Sequence, residues 1–412
     1  MGKKKKAKSQ KKKSIKIKPK IRIAQRRNEY LQSIESIARA TDTLAAYRLI
    51  PKRDRNTIAL MRIRPLQIEA EPGHKILPGL LTVARKYISN AAKDTIFATL
   101  PDGTNISLHD YITIVLSFYS FLKIYLEDES RVVPGIKQGF APFIKWVDSI
   151  PDPGDKIREL GNDVCLHCNR IHRFYFWFRN NSFMKETFMP SFALGLSLNR
   201  TDAEKIEIYL DGKKRPAYRV GWAFPDAGVI WATIKAGKLG INTRFSNMPL
   251  NVYIQSHALM RLIERIDAVG ESIPHFFLFD SLFDLHTTQM EDGSTLIEYR
   301  LFSQKVGYLV FDIAESMIII RTFLFLTNSG TPEGENLKKI SGLKMIELKY
   351  LEIDKLSTFI STDLKDNPKL VDIFTKAGCG SLFQLSSIGL AFKAKVQQAQ
   401  KIVDYLRLHE DF

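Results

Sequence analysis

The sequence predicts an α+β protein: a helical N-terminal region, a central, mostly antiparallel sheet with a His-bearing helix, and a helical C-terminal region. Two changes of hydrophobic period carry that expectation. Apolar residues follow helical spacing through most of the first half and switch to a period of two from about residue 203. Helical spacing returns after Pro332-Glu333-Gly334. Turn signals then set strand direction: Asp211-Gly212, Asp226-Ala227-Gly228 and Asp292-Gly293 are short connections that join antiparallel neighbours. With 412 residues and 45% hydrophobic content, the chain can form two domains plus a tail. The expected divisions are a disordered basic arm at 1–27, a mainly helical region at 28–189, an α+β domain at 190–331 and a helical region at 332–412.

Taken in order, residues 28–48 place Tyr30, Ile34, Ile37 and Leu44 on one helical stripe that can begin within the arm. Residues 52–64 form a second basic patch, and Pro65, Pro72-Gly73 and Pro78-Gly79 read as an irregular link. Helices are expected at 79–92 and at 108–127, the latter capped by Ser107 with Asp110 in its first turn. Residues 156–178 read as a helix ending in five adjacent rings, Phe174 to Phe178, which cannot all face one way. Strands follow at 205–210, 218–224 and 229–235, then a helix from Ser256, then a meander at 296–303, 308–313 and 317–327. Thr331 and Pro332 have the chemistry of a helix cap and first position. Further helices are expected within 343–356, at 368–377 before Gly378, and at 388–408.

The +17 charge is uneven. Residues 1–30 hold 11 Lys and 3 Arg against Glu29, a net +13, so the remaining body carries only +4. The arm, with Lys3, Lys4, Lys5, Lys6, Lys11, Lys12, Lys13, Arg26 and Arg27, has almost no apolar residue before Ile15 and cannot bury a core alone. A polyphosphate backbone is the expected partner, through counterion release, so RNA or the ribosome is anticipated. An acidic lipid surface and a purely solubilising tail are the competing readings. No membrane association is expected. Residues 111–126 are at the lower length limit for a span and contain Lys123, and residues 308–327 are interrupted by Asp312, Glu315 and Arg321. Three cysteines suit a reducing, cytoplasmic compartment.

Chemistry is anticipated first at His257. At a helix N-terminus the dipole disfavours imidazolium, and the same end attracts phosphate. Arg261 lies four residues on, on the same face, with Glu264 and Arg265 one turn further. The spacing equally describes an ordinary solvated helix face, with Leu259, Leu262, Ile263 and Ile266 buried behind it. The run Ser256-His257-Ala258-Leu259-Met260-Arg261-Leu262-Ile263-Glu264-Arg265, followed by the meander, resembles the RelE-like (barnase, EndoU, colicin, RelE) ribonuclease-toxin superfamily over residues 256–327. His257, Ala258, Arg261 and Arg265 match its helix pattern, and Ile318-Ile319-Ile320-Arg321-Thr322 its last strand. The resemblance implies metal-independent RNA cleavage. His257 would be base or acid, and Arg261 and Arg321 would stabilise charge on the phosphorane. Arg265 would add a phosphate contact. Non-catalytic ribosome or nucleic-acid binding through the arm is the alternative.

Three other patterns offer chemistry. Cys165, Cys168 and His172 share a helical face and could be zinc ligands, with His167 or distant Cys379 as a fourth. No second Cys-x-x-Cys exists, so neither metal nor cofactor is expected. The loop 327–334 could hold phosphate, yet it lacks a Gly-Lys-Ser/Thr ending and reads as a plain strand-to-helix turn. Lys213-Lys214-Arg215 beside Tyr218, Trp222 and Trp231 could stack bases, although Tyr218, Val220, Trp222 and Phe224 also form one core face of a strand.

Overall fold

The computed structural model describes residues 19–128, 130, 133–169, 173–185, 191–210, 212–240, 246–270, 272–314, 316–360, 362–387 and 402. The fold is α+β, with N-terminal helices, central and mostly antiparallel sheets, and a helical C-terminal region. The chain divides into two compact units. One comprises Met1–Gln67, Arg85–Lys156 and Asn181–Gly195; the other comprises Ile68–Ala84, Ile157–Asn180 and Leu196–Phe412.

The first unit is built from helices around an aromatic core. Tyr30, Ile34 and Ile37 of the helix Pro19–Ala40 pack with Ile58, Phe118, Phe140 and Phe143. That helix begins at Pro19, so the last residues of the expected disordered arm are helical, while Lys3, Lys4, Lys5, Lys6, Lys11, Lys12 and Lys13 lie outside the described residues. The expected helix at 108–127 is capped by Ser107, whose hydroxyl accepts from the Asp110 N–H at 3.1 Å. It is interrupted by a π-helical turn at Tyr111–Val115.

The second unit centres on an eight-stranded sheet. The order is Thr287–Gln289, Thr295–Leu301, Gln304–Ala314, Met317–Phe325, Pro249–Gln255, Lys213–Arg219, Lys205–Leu210, with Thr233–Lys235 also paired to Pro249–Gln255. Pairings are antiparallel except Pro249–Gln255 against Met317–Phe325, which is parallel, with Val252 opposite Ile318 and Ile254 opposite Ile320. Val220, Val252, Ile254, Ile318, Ile320 and Phe325 supply one buried face, covered by the helices Ser256–Arg265 and Ser272–Phe283. The C-terminal helices share this core through Leu337, Phe359 and Phe374. Thr331 caps Pro332–Ser341 by accepting from the Gly334 N–H at 2.9 Å. Only glycine fits position 334, because a Cβ there would stand 2.0 Å from the Asn328 carbonyl oxygen.

Two local expectations are corrected. The helix expected across 156–178 covers only Pro153–Cys168, and the aromatic run opens a strand, Phe174–Lys185. Alternation explains why: Phe174, Phe176 and Phe178 take one face and Tyr175 and Trp177 the other, so both faces are covered rather than one helical side overloaded. The link expected after Pro65 contains the strand Arg64–Ala70, in a three-stranded sheet ordered Arg64–Ala70, Ser191–Asp202, Phe174–Lys185. The helix expected at 388–408 lies outside the described residues. Among the described residues no helix is long and apolar enough to cross a membrane.

Candidate functional site

In the first unit, the packing of two tyrosines gathers cations. Tyr30 donates to the Thr113 carbonyl at 3.0 Å, and Ser117 donates to the same oxygen at 2.8 Å. The Ser117 hydroxyl accepts from the Ile63 N–H at 2.9 Å, and the adjacent Arg62 guanidinium lies 4.8 Å from the Tyr30 ring centroid. Burial raises the Tyr30 hydroxyl above its ordinary range, outweighing its hydrogen bond with Ser117 and the nearby Arg62 charge. Arg26 and Arg27 are four and three residues before Tyr30, so helical geometry puts both one turn from that ring; both are exposed. On the helix Lys52–Leu60, Lys52 and Arg53 are exposed and Arg55 lies 5.5 Å from the Tyr47 ring centroid. The Nε atoms of Arg55 and Arg64 are buried without an acceptor among the described residues.

Among the described residues from 19 to 67, Arg48–Glu35 at 3.4 Å is the ion pair present. Residues 19–67 contain 11 Lys and Arg against four Asp and Glu. Such a surface offers guanidinium donors to phosphate without first breaking protein ion pairs.

The His257 helix is arranged differently. The strand Pro249–Gln255 runs directly into Ser256–Arg265, and the capping position is Gln255, which makes no side-chain cap, rather than Ser256. Ala258, Leu259, Leu262 and Arg265 are buried, while His257 is exposed. Arg261, one turn on, is half-exposed, with Glu264 4.0 Å away. His257 and Arg261 therefore share the outward face. Arg265 does not: its guanidinium is buried against the Asp354 carboxylate, with both side chains under a tenth exposed. The expected phosphate contact at Arg265 is thus replaced by an internal ion pair, because the third turn rotates that position into the core.

Arg321 sits at a β-bulge. Val310 pairs with Thr322 and Phe311 with Ile320, leaving Arg321 as the extra residue. The bulge changes the phase of the strand, so Ile318 and Ile320 before it and Phe323 and Phe325 after it all join the core. Arg321 itself does not join that buried face: it is exposed and meets Asp312 at 3.0 Å.

Sequence reasoning missed a polar network at the other end of the meander. Lys305 Nζ lies 2.6 Å from Glu333 and 3.9 Å from Glu298. Tyr308 donates to Glu333 at 3.0 Å, Thr288 donates to Glu298 at 3.0 Å, and Arg300 grips Glu298 through Nε and a terminal nitrogen. Burial opposes charge on Lys305, but its bonds to Glu333 and Tyr308 outweigh it and raise its pKa. The cross-strand pairing of Glu298 with Tyr308 was the available signal, hidden by the register. Every member of this network has a protein partner, which fits a structural clasp.

The remaining patterns resolve locally. Cys165 is buried, which pushes its thiol well up; Cys168 is half-buried, and His172 lies outside the described residues. Among the described residues no cluster of three His, Cys, Asp or Glu could hold a metal ion. Lys214 pairs with Glu207, and Val220 and Trp222 face the core.

No family model matches the chain, and no curated protein or solved structure is significantly similar to it.

Proposed function

We propose that this protein binds RNA, alone or on the ribosome, through the cationic face of its first unit, with the basic arm adding affinity. The carrying observation is that Arg26, Arg27, Lys52, Arg53 and Arg62 are exposed and lack a carboxylate partner among the described residues. Arg62 is also held in place by the Tyr30 ring. Cations on a rigid helical surface hold a phosphate backbone with less ordering cost than a free tail. This reading suits a cytoplasmic, RNA-containing compartment.

Anisotropy of a labelled single-stranded RNA across a salt series tests it, comparing the full chain with R26Q/R27Q/K52Q/R53Q/R62Q. Each lost phosphate contact is expected to flatten the slope of log K against log salt by about 0.7. An unchanged slope and affinity would remove the first unit from the interface.

A second reading, a RelE-like endoribonuclease, is favoured by one observation: His257 and Arg261 share an exposed face, and the bulge turns Arg321 outward. In it, His257 takes the ribose 2′-hydroxyl proton, the oxygen attacks phosphorus, the 5′-oxygen leaves and a cyclic phosphate forms. Incubating RNA with wild type and His257→Ala in EDTA separates the readings. Cleavage lost in the variant supports the nuclease, and absence of cleavage by the wild type removes it.

A further inference from the structure

The second unit contains an apolar cavity of about 590 Å³, within the range of about 300–1,000 Å³ typical of small-molecule sites. Five aromatic rings line it: Trp222, Phe224, Phe276, Phe277 and Phe302. They brace one another edge to face, with Trp222–Phe276 at 5.2 Å and Phe277–Phe302 at 4.5 Å between centroids. Asn162, with its amide, and Trp222, with its indole N–H, are the side chains with polar atoms among the lining residues, and none of them carries a charge.

Phe302 makes this wall unusual. It occupies the two-residue turn between Thr295–Leu301 and Gln304–Ala314 with a φ of 49°, followed by Ser303 at 64°. Such turns are normally filled by Asn or Gly, and a bulky ring at positive φ is a strained choice. Turn formation does not require a ring there; the ring instead lines the cavity and packs on Phe277. Backbone strain retained at a binding surface is a recognised sign of function.

We propose that this cavity is a binding site for an uncharged, planar aromatic molecule with one polar substituent directed to Asn162. The absence of charge excludes an ionic ligand, and the ring edges and faces favour an aromatic over an aliphatic one. The site is independent of the RNA-binding reading.

The test titrates the full-length protein with N-phenyl-1-naphthylamine, an uncharged aromatic probe whose emission rises in apolar surroundings. Saturable binding of one probe per chain is expected. Phe302→Asn relieves the turn while removing the wall, so its melting temperature should not fall while affinity drops at least tenfold. Ile273→Trp, which fills the cavity from another wall, should cause a comparable loss. Displacement by 1-naphthol should exceed that by 1-decanol. No saturable binding, unchanged affinity in both folded variants, or equal displacement by the aliphatic alcohol would each overturn the proposal.

Discussion

Arginines in the two units do opposite work. In the first, Arg26, Arg27 and Arg53 lie on helical surface beside solvent, and Arg62, in the connection after the helix Lys52–Leu60, lies over the Tyr30 ring. In the second, carboxylates face most of the arginines described at the sheet and its helices: Arg265 meets Asp354, Arg321 meets Asp312 at 3.0 Å and Arg300 meets Glu298 at 2.8 Å. The residue type is the same, and the neighbour decides its role. A guanidinium already holding a carboxylate stabilises the fold, whereas one left to solvent can take a phosphate. Net charge alone would not distinguish these surfaces.

The sharpest way to break this comparison is at the buried pair. Asp354→Ala leaves the Arg265 guanidinium uncompensated and is expected to cost about 3–5 kcal/mol of stability in denaturant melts. A cost below 1 kcal/mol would mean that Arg265 reaches solvent and is available as a ligand group. Next in size is Gly334→Ala, expected to cost about 1–3 kcal/mol because the added methyl drives into a backbone carbonyl; an unchanged melt would show that the capped turn relaxes freely.

A smaller effect follows from pH. Burial opposes ionisation of Glu298, yet Arg300, Thr288 and Lys305 outweigh it and hold its carboxyl below the ordinary 4.5. A depressed carboxyl contributes stability that is present above its unfolded pKa and lost as pH falls through its folded one. Unfolding followed from pH 6 to pH 3 should therefore steepen below about 4.5 in the wild type, and Glu298→Gln should flatten that part of the profile. Smallest in stability is Arg62→Gln, where losing the exposed cation–π contact should cost about 0.5–1 kcal/mol. Its RNA affinity should nevertheless fall, which thermal melts and anisotropy on one sample would separate.

Much of the fold was legible because its signals are local. The cap at Ser107, the cap at Thr331 and the period-two strands each depend on residues a few positions apart. What escaped depended on distant partners. The aromatic run at 174–178 became a strand because other elements cover both of its faces. Arg321 turned outward because one extra residue shifted the strand's phase, which no spacing within residues 317–325 reveals. Likewise, Arg265 fits a helix-face pattern until Asp354, 89 residues away, claims it. The charge of 52–64 was visible, but the tyrosines that orient Arg55 and Arg62 were not.

The most direct test sets the two surfaces against each other: salt dependence of RNA affinity for R26Q/R27Q/K52Q/R53Q/R62Q and for R261Q/R321Q, in otherwise intact chains. If RNA lies on the first unit, the slope is flattened by up to about 3.5 in the first variant and stays near wild type in the second. A wild-type slope in the first with a flattened slope in the second would place RNA on the His257 helix and contradict binding on the first unit.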